Sequence, residues 1–224
     1  MVWATNLSTV QAEFPPIGEL ALETQTNLQR GGPQVVASLS ENPLTSSQEA
    51  ANWQALDTAF LQFGAVSTTT AWTTYSSLPA SSQAAFILVH DSDFWEQLSP
   101  SWLDIILQTV GIREIEPLSP ILVYLIDNDP ALLPAKDQLD QLLGVEFAAA
   151  LQNPILSKIL MDTYRRDDLA NWYLSRAYFG HLRFGVEEAA QFYFDRSARE
   201  LDLPQAAMLA SFPFNPDENL IEAP

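Results

Sequence analysis

From Pro79 onward the sequence runs as apolar-periodic segments separated by short breaks, and this constrains the fold more than any other feature. The segments are "SSQAAFILVH", "SPSWLDIILQTVG", "PLSPILVYLID", "KDQLDQLLGVEFAAALQ", "PILSKILMDTY", "RDDLANWYLSRAYF", "VEEAAQFYFDR" and "LPQAAMLASF". Each is long enough for two or more helical turns, and none alternates with a period of two as a half-buried strand would. The punctuation agrees: in the second segment Ser99 reads as N-cap, Pro100 as N1 and Gly111 as the closing residue. Eight helices without a convincing strand predict an all-α domain over residues 79–224.

Residues 1–78 differ. They hold a single basic residue, Arg30, a Gly-Gly-Pro break at Gly31 and the Ser/Thr-rich run "VSTTTAWTTYSSLPASS". "IGELALETQTNLQR" and "SSQEAANWQALDTAFLQFG" read as helices, the second capped by Ser46 or Ser47 and closed near Gly64. "STTTAWTTY" fits a strand or a polar linker equally. This part is expected to be a helical N-terminal extension.

Composition excludes several function classes. With 47% hydrophobic residues the chain can fill a core. No apolar run approaches the roughly 20 residues of a membrane span; "SPILVYLI" is closed off by "DNDP". "MVWATNLSTV" has neither a basic start nor an apolar centre, so no signal peptide is visible and any anchor would lie outside this sequence. There is no cysteine, which excludes disulfides and thiolate chemistry. The two histidines, His90 and His181, are too far apart in sequence to suggest a zinc motif. The net charge of −18, with lysine only at Lys136 and Lys158, argues against nucleic acid as a partner.

One stretch carries a family pattern: "YLSRAYFGHLRFGVEEAAQFYFDRSARELDLPQAAMLASFPFNP". It resembles the last motif of the family 51 glycosyltransferases, the peptidoglycan-polymerising transglycosylase domains of class A penicillin-binding proteins and their monofunctional relatives. Tyr173, Leu174, Phe179, Gly180, Gly185, Val186, Glu187, Ala189, Ala190, Tyr193, Leu201, Ala206, Leu209 and Pro213 fall in register without a gap. Gly180 and Gly185, between helices, are expected at positive φ or close backbone approach. Upstream the likeness thins. "HDSDF" aligns with Glu-Asp-x-x-Phe: Asp91 and Phe94 match, and His90 stands at the catalytic glutamate. In "PLSPILVYL" Ser119 matches the second motif. The Arg-Lys-x-x-Glu motif falls on Ala149 to Asn153, without a charge. In "LANWYLS" Asn171 takes the place of the fourth motif's glutamate.

The resemblance implies a lysozyme-like helical domain and inverting transfer of a lipid-pyrophosphate-linked disaccharide. That reaction needs a base for the acceptor hydroxyl and positive charge for the departing pyrophosphate. Neither family glutamate is present, so the expectation is a degenerate, inactive relative with no cofactor, binding or scaffolding in the cell-wall machinery outside the membrane of a bacterium. Its partners would be the lipid-linked peptidoglycan precursor or cell-wall proteins. A second reading is a divergent active enzyme, using His90 oriented by Asp91, with Asp167 or Asp168 as the second carboxylate and a divalent metal. Ser119, Arg176 and Arg183 are the candidates to line its substrate groove. A third is a protein-interaction module presenting Trp53, Trp72, Trp95 and Trp102.

Overall fold

Serine, aspartate and glycine mark several of the helix ends among the described residues. The computed structural model describes residues 73–109, 112, 117–181 and 183–213, together with Val10, Phe14 and Pro16. Along these residues run eight α-helices: α1 (Ala80–Leu88), α2 (Trp102–Thr109), α3 (Pro120–Asn128), α4 (Leu133–Leu143), α5 (Val145–Thr163), α6 (Arg166–Arg176), α7 (Val186–Phe194) and α8 (Leu203–Ser211). Short 3-10 turns occupy Tyr75–Ser77, Pro130–Leu132 and Ala198–Glu200, and the described residues contain no strand. The all-α expectation holds. The helices expected before Leu78 lie outside the described residues, as do Trp53 and Trp72. Of the other tryptophans, Trp95 is half-buried and Trp102 is 38% exposed.

The helix count agrees with the sequence reading, but two boundaries moved. The break expected at Pro154 is absent: α5 runs through it, and the division falls at Gly144 instead. Gly144 has φ +79°, a conformation that side chains other than glycine's rarely adopt. Its N–H closes α4 on Asp140 O at 2.9 Å, and its carbonyl starts α5 by accepting from Ala148 N at 2.9 Å. Pro154 forfeits one helical hydrogen bond. It is itself buried, flanked by buried Leu151, Ile155 and Leu156, so packing holds the helix where propensity would break it. At α2 the cap is Ser101, not Ser99. Ser101 Oγ accepts from Asp104 N at 3.1 Å and donates to its carboxylate at 2.6 Å. Ser99 Oγ donates instead to Asp162 at 2.9 Å, and Pro100 consequently precedes the helix. Gly111 lies outside the described residues.

The chain divides into two compact units, Met1–Ile17 with His90–Ala170, and Gly18–Val89 with Asn171–Pro224. In the first, α5 is the central helix, packed against α2, α3 and α4. Ile121, Leu122, Leu125, Ile126, Leu139, Leu156 and Leu160 form its core, each with at most 1% of its surface exposed. In the second, α1 and α7 pack on α8. Phe86 meets Phe179 edge-on at 6.3 Å, and Tyr193 stacks on Phe212 at 5.2 Å. Asp202 opens α8 with a capping box: its carboxylate accepts from Gln205 N, and the Gln205 side chain accepts from Asp202 N.

Candidate functional site

In the first unit, the residues after α1 form a turn rather than another helical segment. His90 lies in that turn, half-buried, and Asp91 follows it, buried. Two motif residues separated by 28 positions meet here: Ser119 Oγ donates to the Asp91 carboxylate. The same oxygen accepts from Leu122 N at 3.3 Å, so Ser119 caps α3 and holds Asp91 at once. Burial pushes the Asp91 carboxyl above the usual aspartate range; its bonds to Ser119 and Ile121 N and the charge of Arg166 oppose that shift.

Arg166, the first residue of α6, carried no assigned role in the sequence reading, because a basic residue at a helix start reads as solvated. Its guanidinium lies 5.6 Å from the centre of the Phe94 ring and donates through Nη2 to the carbonyl of Gln97. Nη1 is buried without a hydrogen-bond partner among the described residues. Burial lowers the Arg166 pKa, with the Asp91 charge acting the other way. Asp91, Phe94, Ser119 and Arg166 thus form one half-dry cluster around the first motif. Asp167, by contrast, is exposed and paired with exposed Arg165 at 3.1 Å, as a solvated first turn would be. Asp168 is half-buried and bonds through its backbone to Arg165 O.

In the second unit Asn171 sits on α6, and its carboxamide oxygen accepts from Tyr75 N at 2.6 Å. One turn on, Ser175 Oγ accepts from Thr73 N at 2.8 Å and lies 3.4 Å from Thr73 O. Past α6 the chain folds back on itself. Phe179 N donates to Arg183 O, Arg183 N to Gly180 O and Gly185 N to Ala177 O, each at 2.8 Å. Gly180 and Gly185 have φ +79° and +85°, as expected of both, and His181 also lies in the left-handed region at +49°. Tyr193 Oη donates to Phe179 O at 2.8 Å and stands 3.0 Å from His181 Nδ1, fixing the turn from beneath.

The two arginine candidates flank this turn. Arg176 ends α6, half-buried. Arg183 pairs with the buried carboxylate of Glu188 at 3.2 Å and stacks over Phe192 at 4.3 Å. Glu188 was not singled out by the sequence reading; its neighbour Glu187, which matches the motif, bonds Ala198 N at 2.9 Å and Ser197 Oγ at 3.1 Å. Among the described residues no group of three or more His, Asp or Glu side chains is gathered as a metal would require. No helix among them is long and apolar enough to cross a membrane.

The family model for transglycosylases matches residues 138–223, from α4 through the glycine turn to the end of α8 and beyond. Over residues 138–223 the chain is thus similar to the transglycosylase family. Similar proteins include penicillin-binding protein 1A of Rickettsia bellii, 27% identical over 150 residues, which is 64% of this chain and 18% of that protein. Penicillin-binding protein 2a of Streptococcus pneumoniae is 39% identical over 83 residues, 37% of this chain and 10% of that protein. Penicillin-binding protein 2D of Bacillus subtilis is 37% identical over 57 residues, 25% and 8% respectively. The chain therefore spans less than a fifth of the length of these relatives. The transglycosylase match includes Asn171, the glycine turn and Arg183; Asp91 and Ser119 lie before it.

Proposed function

We propose that this is a transglycosylase-family domain that keeps the helical scaffold, does not polymerise glycan, and binds or scaffolds in bacterial cell-wall assembly outside the cytoplasmic membrane. Its ligand would be the lipid-linked peptidoglycan precursor or a protein of that machinery. The observation that carries this reading is Asn171. It stands where the family resemblance puts a glutamate, an amide cannot take up a proton, and its oxygen is already engaged by Tyr75 N at 2.6 Å. His90 in place of the first glutamate and Ala149, Ala150 and Asn153 in place of the charged third motif support the same reading. Losing a single transition-state charge partner typically costs about 10²–10³ in rate. Here the base, a second carboxylate and the cations are replaced together.

The test is polymerisation of the lipid-linked disaccharide in the presence of a divalent metal. The unmodified chain is expected to form no polymer. His90→Glu alone is expected to restore none, because groups that act as a unit are not rescued one at a time. Polymer made by the unmodified chain and abolished in His90→Ala would make His90 a working base and the chain an enzyme.

A further inference from the structure

We infer that residues 73–77 are a strap that covers the α6 face carrying Asn171 and Ser175, closing Ser175 and occupying the Asn171 carboxamide oxygen while the strap is seated. Positions 171 and 175 are one turn apart, so their side chains project from the same face of α6. Both are spent on the backbone of one short segment roughly a hundred positions away in sequence: Asn171 Oδ1 on Tyr75 N, and Ser175 Oγ on Thr73 N. The segment is shaped for this contact. Thr74 is extended, with φ −89° and ψ 124°, and Tyr75–Ser77 then turn as a 3-10 helix closed by Leu78 N on Tyr75 O. Leu78 is buried, anchoring the far end, and Thr73 is 7% exposed.

Side-chain oxygens aimed at backbone amides recognise an extended chain irrespective of its side chains. The polar face of α6 is therefore built as a receptor for peptide backbone, and the chain supplies its own occupant. Ser175 is fully buried. Asn171 is half-buried, so no glycan or peptide reaches Ser175, or takes the hydrogen bond that Asn171 Oδ1 accepts, unless residues 73–77 lift away. This holds whether or not the domain polymerises glycan, so its test needs no substrate.

The 224-residue sequence contains no cysteine, so Ser175→Cys introduces a unique thiol whose rate of maleimide labelling reports on cover over the face. The strap is released by Tyr75→Pro, which deletes the N–H that Asn171 accepts. Proline is tolerated there, at the first position of a 3-10 turn after an extended residue. Tyr75→Ala is the control, since it loses the same ring and keeps the N–H. Labelling in the Pro variant is expected to be at least about tenfold faster than in the Ala variant, the factor a single buried hydrogen bond supplies. Equal rates in the two would overturn the strap. A second measurement leaves Ser175 and Tyr75 native: hydrogen exchange of the Tyr75 amide should speed up about tenfold in Asn171→Ala, and stay near the native rate in Asn171→Asp, whose carboxylate still accepts. An unchanged rate in Asn171→Ala, with the α7 and α8 amides still protected, would equally sink it.

Discussion

Replacing Ser119 by alanine tests the cluster around the first motif more sharply than any other single change. The hydroxyl does two jobs: it caps α3 through Leu122 N, and it donates to a buried carboxylate at Asp91. Loss of a serine cap costs about 1 kcal/mol, and loss of a hydrogen bond to a buried charged group costs about 1.5–3 kcal/mol. The sum, about 3 kcal/mol, is a large fraction of an ordinary domain's stability. The two parts separate with pH. Burial raises the folded-state pKa of Asp91 above its ordinary value of 3.8, and the Ser119 bond holds that rise down. A carboxyl whose folded pKa is raised binds more protons when folded than when unfolded. Its contribution to stability is therefore greatest below pH 3.8 and is lost as pH rises through the folded pKa. Removing Ser119 raises that pKa further and widens the window, so the penalty grows from acid to neutral pH. Urea denaturation of Ser119→Ala and the native chain at several pH values between 3.5 and 7 gives the difference directly. A penalty below about 0.5 kcal/mol at pH 7, or one that shrinks as pH rises, would refute the assignment.

Gly144 and Gly180 share φ +79°, yet a Cβ at 144 meets nothing within 4 Å whereas one at 180 lies 3.2 Å from Tyr193 Oη. Gly144→Ala should cost about 1 kcal/mol for the backbone conformation alone; Gly180→Ala should cost measurably more, and equal losses by thermal melting would contradict the account. Glu187→Ala should lower stability by about 1–2 kcal/mol, because the Ala198 amide loses its acceptor, while Glu187→Gln, which still offers an oxygen, should recover most of it. A denaturation series on the three forms decides this.

What could be read from the sequence, and what could not, follows the kind of group involved. Ser119 carries a cap signal in the sequence, with Pro120 following it and an apolar run beginning at once, but it was read there only as a motif match. Gly144 was not, because "QLLGVEF" continues its apolar period straight across the glycine and offers no polar break. Asn153-Pro154 looked like a stop for the opposite reason: the local signal is strong, and only the packing of α5 on three neighbours overrides it. The glycine turn was legible because positive φ leaves a residue-type signature. The partner of Asn171 was not, because a backbone N–H has the same signature at every non-proline position.

The adjacent glutamates show the same limit most plainly. Neighbouring positions on a helix point about 100° apart, so "VEE" at the start of α7 had to send its two carboxylates to different places. Both favour a helix N-terminus, and nothing in the local sequence assigns either one a partner. The fold does: Glu187 faces the turn at Ser197 and Ala198, and Glu188 turns inward to Arg183. Arg183 was a candidate for the substrate groove on the strength of its charge, and that charge is met by a carboxylate only 5% exposed. An anion approaching Arg183 must compete with a partner already held in place by α7. Any ligand role for this arginine therefore depends on Glu188, and reading Arg183 without it overstates the positive potential at the glycine turn.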